Sequence, residues 1–267
     1  VSTRRMITTL VACGALLAGA ALAQVVTRDP VQALKAILAP GHGMHFTETT
    51  TLSDGDDERA DRRRKGIFEF DAKGGAKALD VTTTGGEHGH ERVIGFNHDI
   101  GGTSYWSGGL IGKWLKKGKT WWKDSHQLHL WHTDLLGYDE QLVNPAEPAT
   151  LAVLLKNGRR SGDTVTGAIT FEKLGQVSRW VEHSTHAGWD PDTRLAYTVT
   201  LTSAGLVSRV QSTFTFADGL DELVGRTLHV DTRYSRWGGK VSIKAPDPRE
   251  TTTELCIEGI CDWRLPS

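Results

Sequence analysis

Histidine is the residue type through which this sequence could most directly do chemistry, and part of its complement of eleven falls in groups. His126, His129 and His132 stand in HQLHLWH, His88 and His90 in EHGHER, and His183 and His186 in HSTH. A metal site needs such side chains on one face. On a helix the spacing i, i+3, i+6 drifts around the cylinder, and on a strand i and i+3 point to opposite sides. His88 and His90 suit one strand face, but Gly85, Gly86 and Gly89 place them in a turn. No H-E-x-x-H occurs. The histidines therefore read as surface residues, and neither a metal nor a cofactor is expected.

The other catalytic patterns fail residue by residue. Gly118-Lys119-Thr120 in KKGKTWW looks like the end of a phosphate-binding loop, but Lys113 stands where the first glycine is required and Gly112 is one place out. Ser107 in YWSGG lacks the first glycine of a nucleophile elbow. Asp and Glu pairs are plentiful, and none stands apart as an acid/base couple. The reading is a chain that is not an enzyme.

Cysteine chemistry depends on the compartment. The chain opens VSTRRMITTLVACGALLAGAALAQ, in which Arg4 and Arg5 precede an apolar run ending Ala21-Leu22-Ala23 before Gln24. That is the layout of an export signal cleaved between Ala23 and Gln24. Val1 reads as a non-AUG start, with Met6 as the rival that would remove both arginines. Leu10-Val11-Ala12-Cys13 also fits a lipoprotein signal with Cys13 as the lipidated residue. Against it, only about seven apolar residues precede Cys13, and more apolar sequence follows. Once residues 1 to 23 are removed, Cys256 and Cys261 in ELCIEGICDW are the only cysteines left. In an exported chain they are expected to pair as a structural disulfide pinning a hairpin around Glu258-Gly259, contributing roughly 2 kcal/mol. A redox pair or half a metal site are the rival readings, and C-x4-C lacks the C-x-x-C spacing of either.

Charge narrows the partners. Without residues 1 to 23 the 31 basic residues fall to 29 against 32 acidic ones, a net of -3. That mixed surface argues against nucleic acid, which needs a concentrated basic excess.

The elements that must position any site are mostly strands. Asp29-Pro30 caps a short helix with Val31, Leu34, Ile37 and Leu38 on one face, stopped at Pro40-Gly41, and NPAEPATLAVLLKNGRR repeats that grammar with Leu151, Leu154, Leu155 and the terminator Gly158. HFTETTTL, KGIFEFDAK, KALDVTTT, ERVIGFNHDI and GTSYWS read as antiparallel strands. SDGDDERADRRRK between the first two reads as an exposed, charged loop. The tryptophan-rich stretch from Leu110 to Leu142 reads as a hairpin and a long, partly helical connection. Further on, Leu195, Tyr197, Val199 and Leu201 alternate with polar residues, as do Val210, Ser212, Phe214 and Phe216. In HVDTRYSRWGGKVSIKAPDP, Val230, Thr232 and Tyr234 share one face and Asp231 and Arg233 the other. Gly238-Gly239 permits a bulge, and Val241, Ile243 and Ala245 resume the apolar side before Pro246 and Pro248. With no repeat or linker, residues 24 to 267 read as one α+β, mostly β domain.

The order of these words resembles the LolA-like half-barrel superfamily, in particular the LppX/LprAFG-type cell-envelope lipoproteins. The matching words are the Pro148 to Leu155 helix, the strand start Gly162-Asp163-Thr164-Val165-Thr166-Gly167, the strand marked by Gly205, Leu206 and Arg209, and the closing run Tyr234 to Pro246. The match covers most of residues 30 to 248. CIEGIC lies beyond the family's usual end. The resemblance implies a strongly curved antiparallel half-barrel sheet wrapping short helices and carrying an acyl chain of a lipid, glycolipid or lipoprotein in an apolar hollow. In that role Tyr197, Val199, Leu201, Phe214 and Phe216 are the ligand-cavity or core face; apolar inward residues serve either purpose. The expected function is an exported, extracytoplasmic binder or carrier of an amphiphile, with association at a membrane surface as a corollary. The alternatives are an envelope interaction or sensor module on the same scaffold without lipid cargo and, behind it, a secreted hydrolase.

Overall fold

The computed structural model describes residues 29–54, 57–71, 75–85, 89–96, 102–124, 141–184, 190–217, 223–257 and 260–263. Asp29 accepts a hydrogen bond from the Val31 amide and Pro30 takes the first position of α1 (Pro30–Lys35), as the sequence predicts. The chain then lays down β1 (His42–Asp54), β2 (Asp57–Phe70), β3 (Ala76–Gly85), β4 (Glu91–Phe96), β5 (Thr103–Gly108), the short α2 (Gly109–Lys113) and β6 (Trp121–Asp124). After α3 (Pro148–Asn157) come β7 (Arg159–Ser161), β8 (Thr164–Thr170), α4 (Phe171–Gly175), α5 (Arg179–Ser184), β9 (Arg194–Leu201), β10 (Val207–Thr215) and β11 (Thr227–Lys240). β12 (Thr251–Thr252), β13 (Leu255–Ile257) and β14 (Ile260–Trp263) end the described chain.

Twelve of these strands form one curved, unclosed sheet in the order β12-β6-β5-β4-β3-β2-β1-β11-β10-β9-β8-β7. Every neighbour is antiparallel except β12 on β6. Two meanders, β1 to β6 and β7 to β11, are thus joined where β1 pairs β11, and the three longest strands meet there. This mostly β half-barrel is the architecture expected from the sequence.

Period-two burial gives the sheet its two faces. Leu195, Tyr197, Val199 and Leu201 of β9, and Val207, Val210, Ser212 and Phe214 of β10, are buried. Helices α3, α4 and α5 fill the concave side, with Leu151, Leu154, Phe171, Leu174 and Val181 in the common core. On the outer face Arg209 grips Asp231 through two hydrogen bonds of 2.7 and 2.6 Å. Asp231 and Arg233 do lie opposite Val230, Thr232 and Tyr234.

Two expectations change. SDGDDERADRRRK is not a loop: β1 and β2 continue through it, pairing Ser53 with Glu58 and Asp54 with Asp57. Its charged residues hid the strand because they leave no apolar alternation to read. β11, expected as a closing strand, lies in mid-sheet and ends at Lys240. The Gly238-Gly239 bulge is present: β1 partners jump from Ser235 to Gly239, Arg236 sits at φ 54° and Gly238 at φ 71°. Beyond it Val241 and Ile243 are half-buried, while Ala245 is exposed.

Past β11 the chain becomes a strap. Val241 donates to the Gly41 carbonyl and Ile243 to Glu69 Oε2, after which Thr251 and Thr252 pair with Trp121 and Trp122. Among the described residues no helix is long and apolar enough to cross a membrane.

Candidate functional site

Seven directly opposed pairs place eight inward residues in one row across the sheet: Glu91, Thr83, Arg64, Glu48, Thr232, Val210, Val199 and Val165. All are buried. The row is polar from β4 to β11 and apolar from β10 to β8, so the concave floor divides chemically at its middle.

A cavity lies over the polar half. Met44, Phe46 and Glu48 of β1, Arg64 and Phe68 of β2, Leu79 and Val81 of β3, and Thr232 and Tyr234 of β11 form its floor and walls. Gln141, Val143 and Asn144, from the segment leading into α3, and Trp180 of α5 cover it. Its empty space, counted with the mouth, is about 390 Å³, of which about 30 Å³ is open to the centre of a water-sized molecule. At roughly 10–15 Å³ per water on that measure, it has room for about two waters. Gly66 helps to shape it. A Cβ there would stand 2.5 Å from Phe46 Cε1 and 2.9 Å from the Asp80 carbonyl oxygen, so only glycine lets the Phe46 ring lie across β2.

The floor is held by a continuous hydrogen-bond network. Arg64 donates to Glu48 Oε1 through Nε at 2.8 Å and through a terminal nitrogen. The two side chains are 5% and 2% exposed, so this ion pair is desolvated. Thr232 donates to Glu48 Oε2 at 2.7 Å, and Gln141 donates to Thr232 Oγ1 at 3.3 Å and to the Val210 carbonyl at 3.4 Å. Gln141 Oε1 accepts from Ser212 and from the Val143 amide. Burial, and next the negative charge of Glu48, push the Tyr234 phenol well above its ordinary range, so it stays protonated as a neutral polar group on the wall.

The cover is pegged by a second carboxylate. Glu147 Oε2 accepts from the Thr150 hydroxyl at 2.8 Å and the Ser178 hydroxyl at 2.6 Å, and Oε1 accepts from the Trp180 amide at 2.8 Å. Desolvation raises the Glu147 pKa despite these donors. Trp180 in turn donates from its indole to the Gln141 carbonyl and meets the Phe68 ring edge-on at 5.7 Å. One side chain thus ties the starts of α3 and α5 to the segment that carries Gln141.

The residues singled out from the sequence lie elsewhere. Tyr197, Val199, Leu201, Phe214 and Phe216 are buried but do not line the cavity. The Tyr197 hydroxyl donates to the Leu154 carbonyl at 2.8 Å, and Phe214 packs edge-on against Phe171. Cys256 and Cys261 are joined in a disulfide between β13 and β14. Cys13, Ala23, Gln24, His88, His126, His129, His132 and His186 lie outside the described residues. His90 is exposed. Among the described residues no group of three or more His, Cys, Asp or Glu could hold a metal. Gly118, at φ 82°, turns the chain into β6, and Lys119 donates to the Arg249 carbonyl.

Glu48, Arg64, Gln141 and Trp180 were not foreseen. The signal for two of them was parity: Glu48 is two residues from Phe46, and Arg64 four from Phe68, so both strands turn a charge toward the face that carries their aromatics.

No family model matches the chain, and no curated protein matches it. Among solved structures it is similar to the Mycobacterium tuberculosis lipoprotein LppX, at 8% identity and a TM-score of 0.38 over 80% of this chain and 96% of that one. It is also similar to a DUF1329 family protein from Desulfovibrio piger, at 9% identity and a TM-score of 0.32 over 80% of this chain and 95% of that one. The first is of the LppX type that the sequence words resemble. Identity and superposition this low leave function to be argued from the chain's own residues.

Proposed function

We propose that this protein binds or carries an amphiphile outside the cytoplasm, holding the polar end over the Glu48, Arg64 and Thr232 floor and the apolar part against Met44, Phe46, Phe68, Leu79 and Val81. The observation that carries the reading is a concave cavity with apolar walls and a few convergent polar groups, the usual make-up of a small-molecule site. The export layout read at residues 1 to 23 supports the location. Because the cavity as it stands has room for only about two waters, an acyl chain is admitted when the cover of Gln141, Val143 and Trp180 moves off the sheet.

Native mass spectrometry of the purified chain, before and after mild solvent extraction and re-exposure to envelope lipids, tests this. The expected result is a bound acyl species that extraction removes and re-exposure restores. A chain that neither carries nor takes up any acyl ligand overturns it. That result would favour the second reading, an interaction or sensor module without cargo, which draws support from the packing of α3 and α4 against Tyr197 and Phe214.

A further inference from the structure

We infer that the outer face of the sheet is a docking surface for an anionic lipid bilayer, engaged through a band of cations at its middle. This face is the one opposite the cavity, and its role does not depend on what the cavity holds.

The band follows from register. Arg209, Arg233, Thr47, Lys65, Thr82 and Arg92 are directly opposed across β10, β11, β1, β2, β3 and β4, a run of about 24 Å at roughly 4.8 Å per strand. Gln211, Asp231, Thr49, Arg63 and Thr84 form the neighbouring outward row. Asp231 is the one acid in these two rows, against five cations. It holds Arg209, while Arg92 is held by Asp80. Arg63, Lys65 and Arg233 are exposed and enter no ion pair among the described residues. They stand on β2 and β11, on either side of β1, where the three longest strands meet in mid-sheet. Between them β1 presents only Thr47 and Thr49, so the cations are the longest side chains on this part of the face.

The partner follows from what accompanies the charge. A curved sheet touches a plane along the middle of its convex side, which is where these three cations lie. The two rows contain no aromatic side chain on which a base could stack and no large apolar one to anchor a protein partner. What fits is negative charge spread over a plane. The net of -3 carried without residues 1 to 23 does not oppose this, because charges more than about 8 Å away are screened at physiological ionic strength. Each Lys or Arg held at an anionic bilayer raises partitioning by about fivefold, so three raise it by about a hundredfold.

Flotation of the full chain with vesicles tests this, one set of phosphatidylcholine alone and the other containing about one-third phosphatidylglycerol. At about 0.1 M salt the chain should bind the anionic vesicles and not the neutral ones, and about 0.5 M salt should weaken binding by about tenfold or more. Arg63→Thr, Lys65→Thr and Arg233→Thr together keep a strand-forming residue at each position and should cost about a hundredfold. Lys35→Gln, Lys156→Gln and Lys173→Gln together remove the same charge from α1, α3 and α4, on the other side of the sheet, and should cost less than about threefold. The wild-type comparisons decide the matter by themselves if a variant does not fold. Equal binding to the two vesicle sets, binding that ignores salt, wild-type affinity in the folded strand variant, an equal loss in the helix variant, or retention on heparin without binding to anionic vesicles overturns the inference. None of these outcomes bears on the cavity, whose occupancy is read by mass and not by flotation.

Discussion

At the residue scale, the central fact is an ion pair set into an apolar wall. Burying a carboxylate and a guanidinium costs several kcal/mol each, and their attraction and hydrogen bonds do little more than offset that cost. Glu48 and Arg64 therefore contribute little net stability as a pair, although each depends on the other. Replacing Arg64 alone by Met takes the guanidinium from the buried Glu48 carboxylate and is expected to destabilise the fold by about 3–5 kcal/mol. The double replacement Glu48→Leu with Arg64→Met removes both charges and should recover to within about 1 kcal/mol of the wild type or exceed it. Urea unfolding of the three chains measures this. A double variant as unstable as the single one would mean that the pair acts through packing and not through charge.

At the scale of elements, the peg between α3 and α5 makes a pH prediction. Burial, as the dominant influence, raises the Glu147 pKa above its ordinary 4.5. A carboxyl whose folded pKa is raised contributes stability that is fully present below its unfolded pKa and is lost as pH rises through the folded value. The wild-type chain should therefore gain stability relative to Glu147→Gln as pH falls from neutral toward about 4.5, against the usual trend of acid destabilisation. At neutral pH the glutamine, whose amide group turns donors toward Ser178 or the Trp180 amide, should cost about 1–3 kcal/mol through unsatisfied buried groups. Unfolding curves for the two chains at several pH values decide it, and parallel profiles would sink the idea. The elements themselves were unequally legible. The α1 and α3 helices and the strands β9 and β10 showed in the sequence because apolar residues recur at the right period. FEKLG and RWVEHS became α4 and α5 unannounced, being too short for any period to show. The outer reach of β2 was hidden because the run from Asp57 to Lys65 offers no apolar alternation to read. The cover over the cavity was illegible for a further reason: the Gln141 side chain bonds Ser212, Thr232 and the Val210 carbonyl, which are distant in sequence and adjacent in the fold.

At the scale of the whole molecule, an unclosed sheet has two edges, and unpaired edges invite association. This chain treats them differently. β7 is three residues long and carries Arg159 and Arg160, a short and charged edge. β6 carries Trp121 and Trp122 and would be a hydrophobic edge if left bare, but the strap after β11 crosses to it and adds β12. Thr120 donates to the Glu250 carbonyl, the Trp122 indole donates to the Thr253 carbonyl, and the Cys256 amide donates to the Trp114 carbonyl, so the strap is fastened along its length. The Cys256–Cys261 disulfide lies just past the last of these contacts and closes only a short loop, so reducing it should cost no more than about 2 kcal/mol. Removing the strap should matter far more. A chain ending at Lys240 keeps all of β1 to β11 but uncovers the β6 edge, and it should self-associate in size-exclusion chromatography under conditions in which the full chain does not. Its tryptophan emission should shift to the red as Trp121 and Trp122 gain solvent. A truncated chain with the elution and emission of the full one would show that the strap is not what protects that edge.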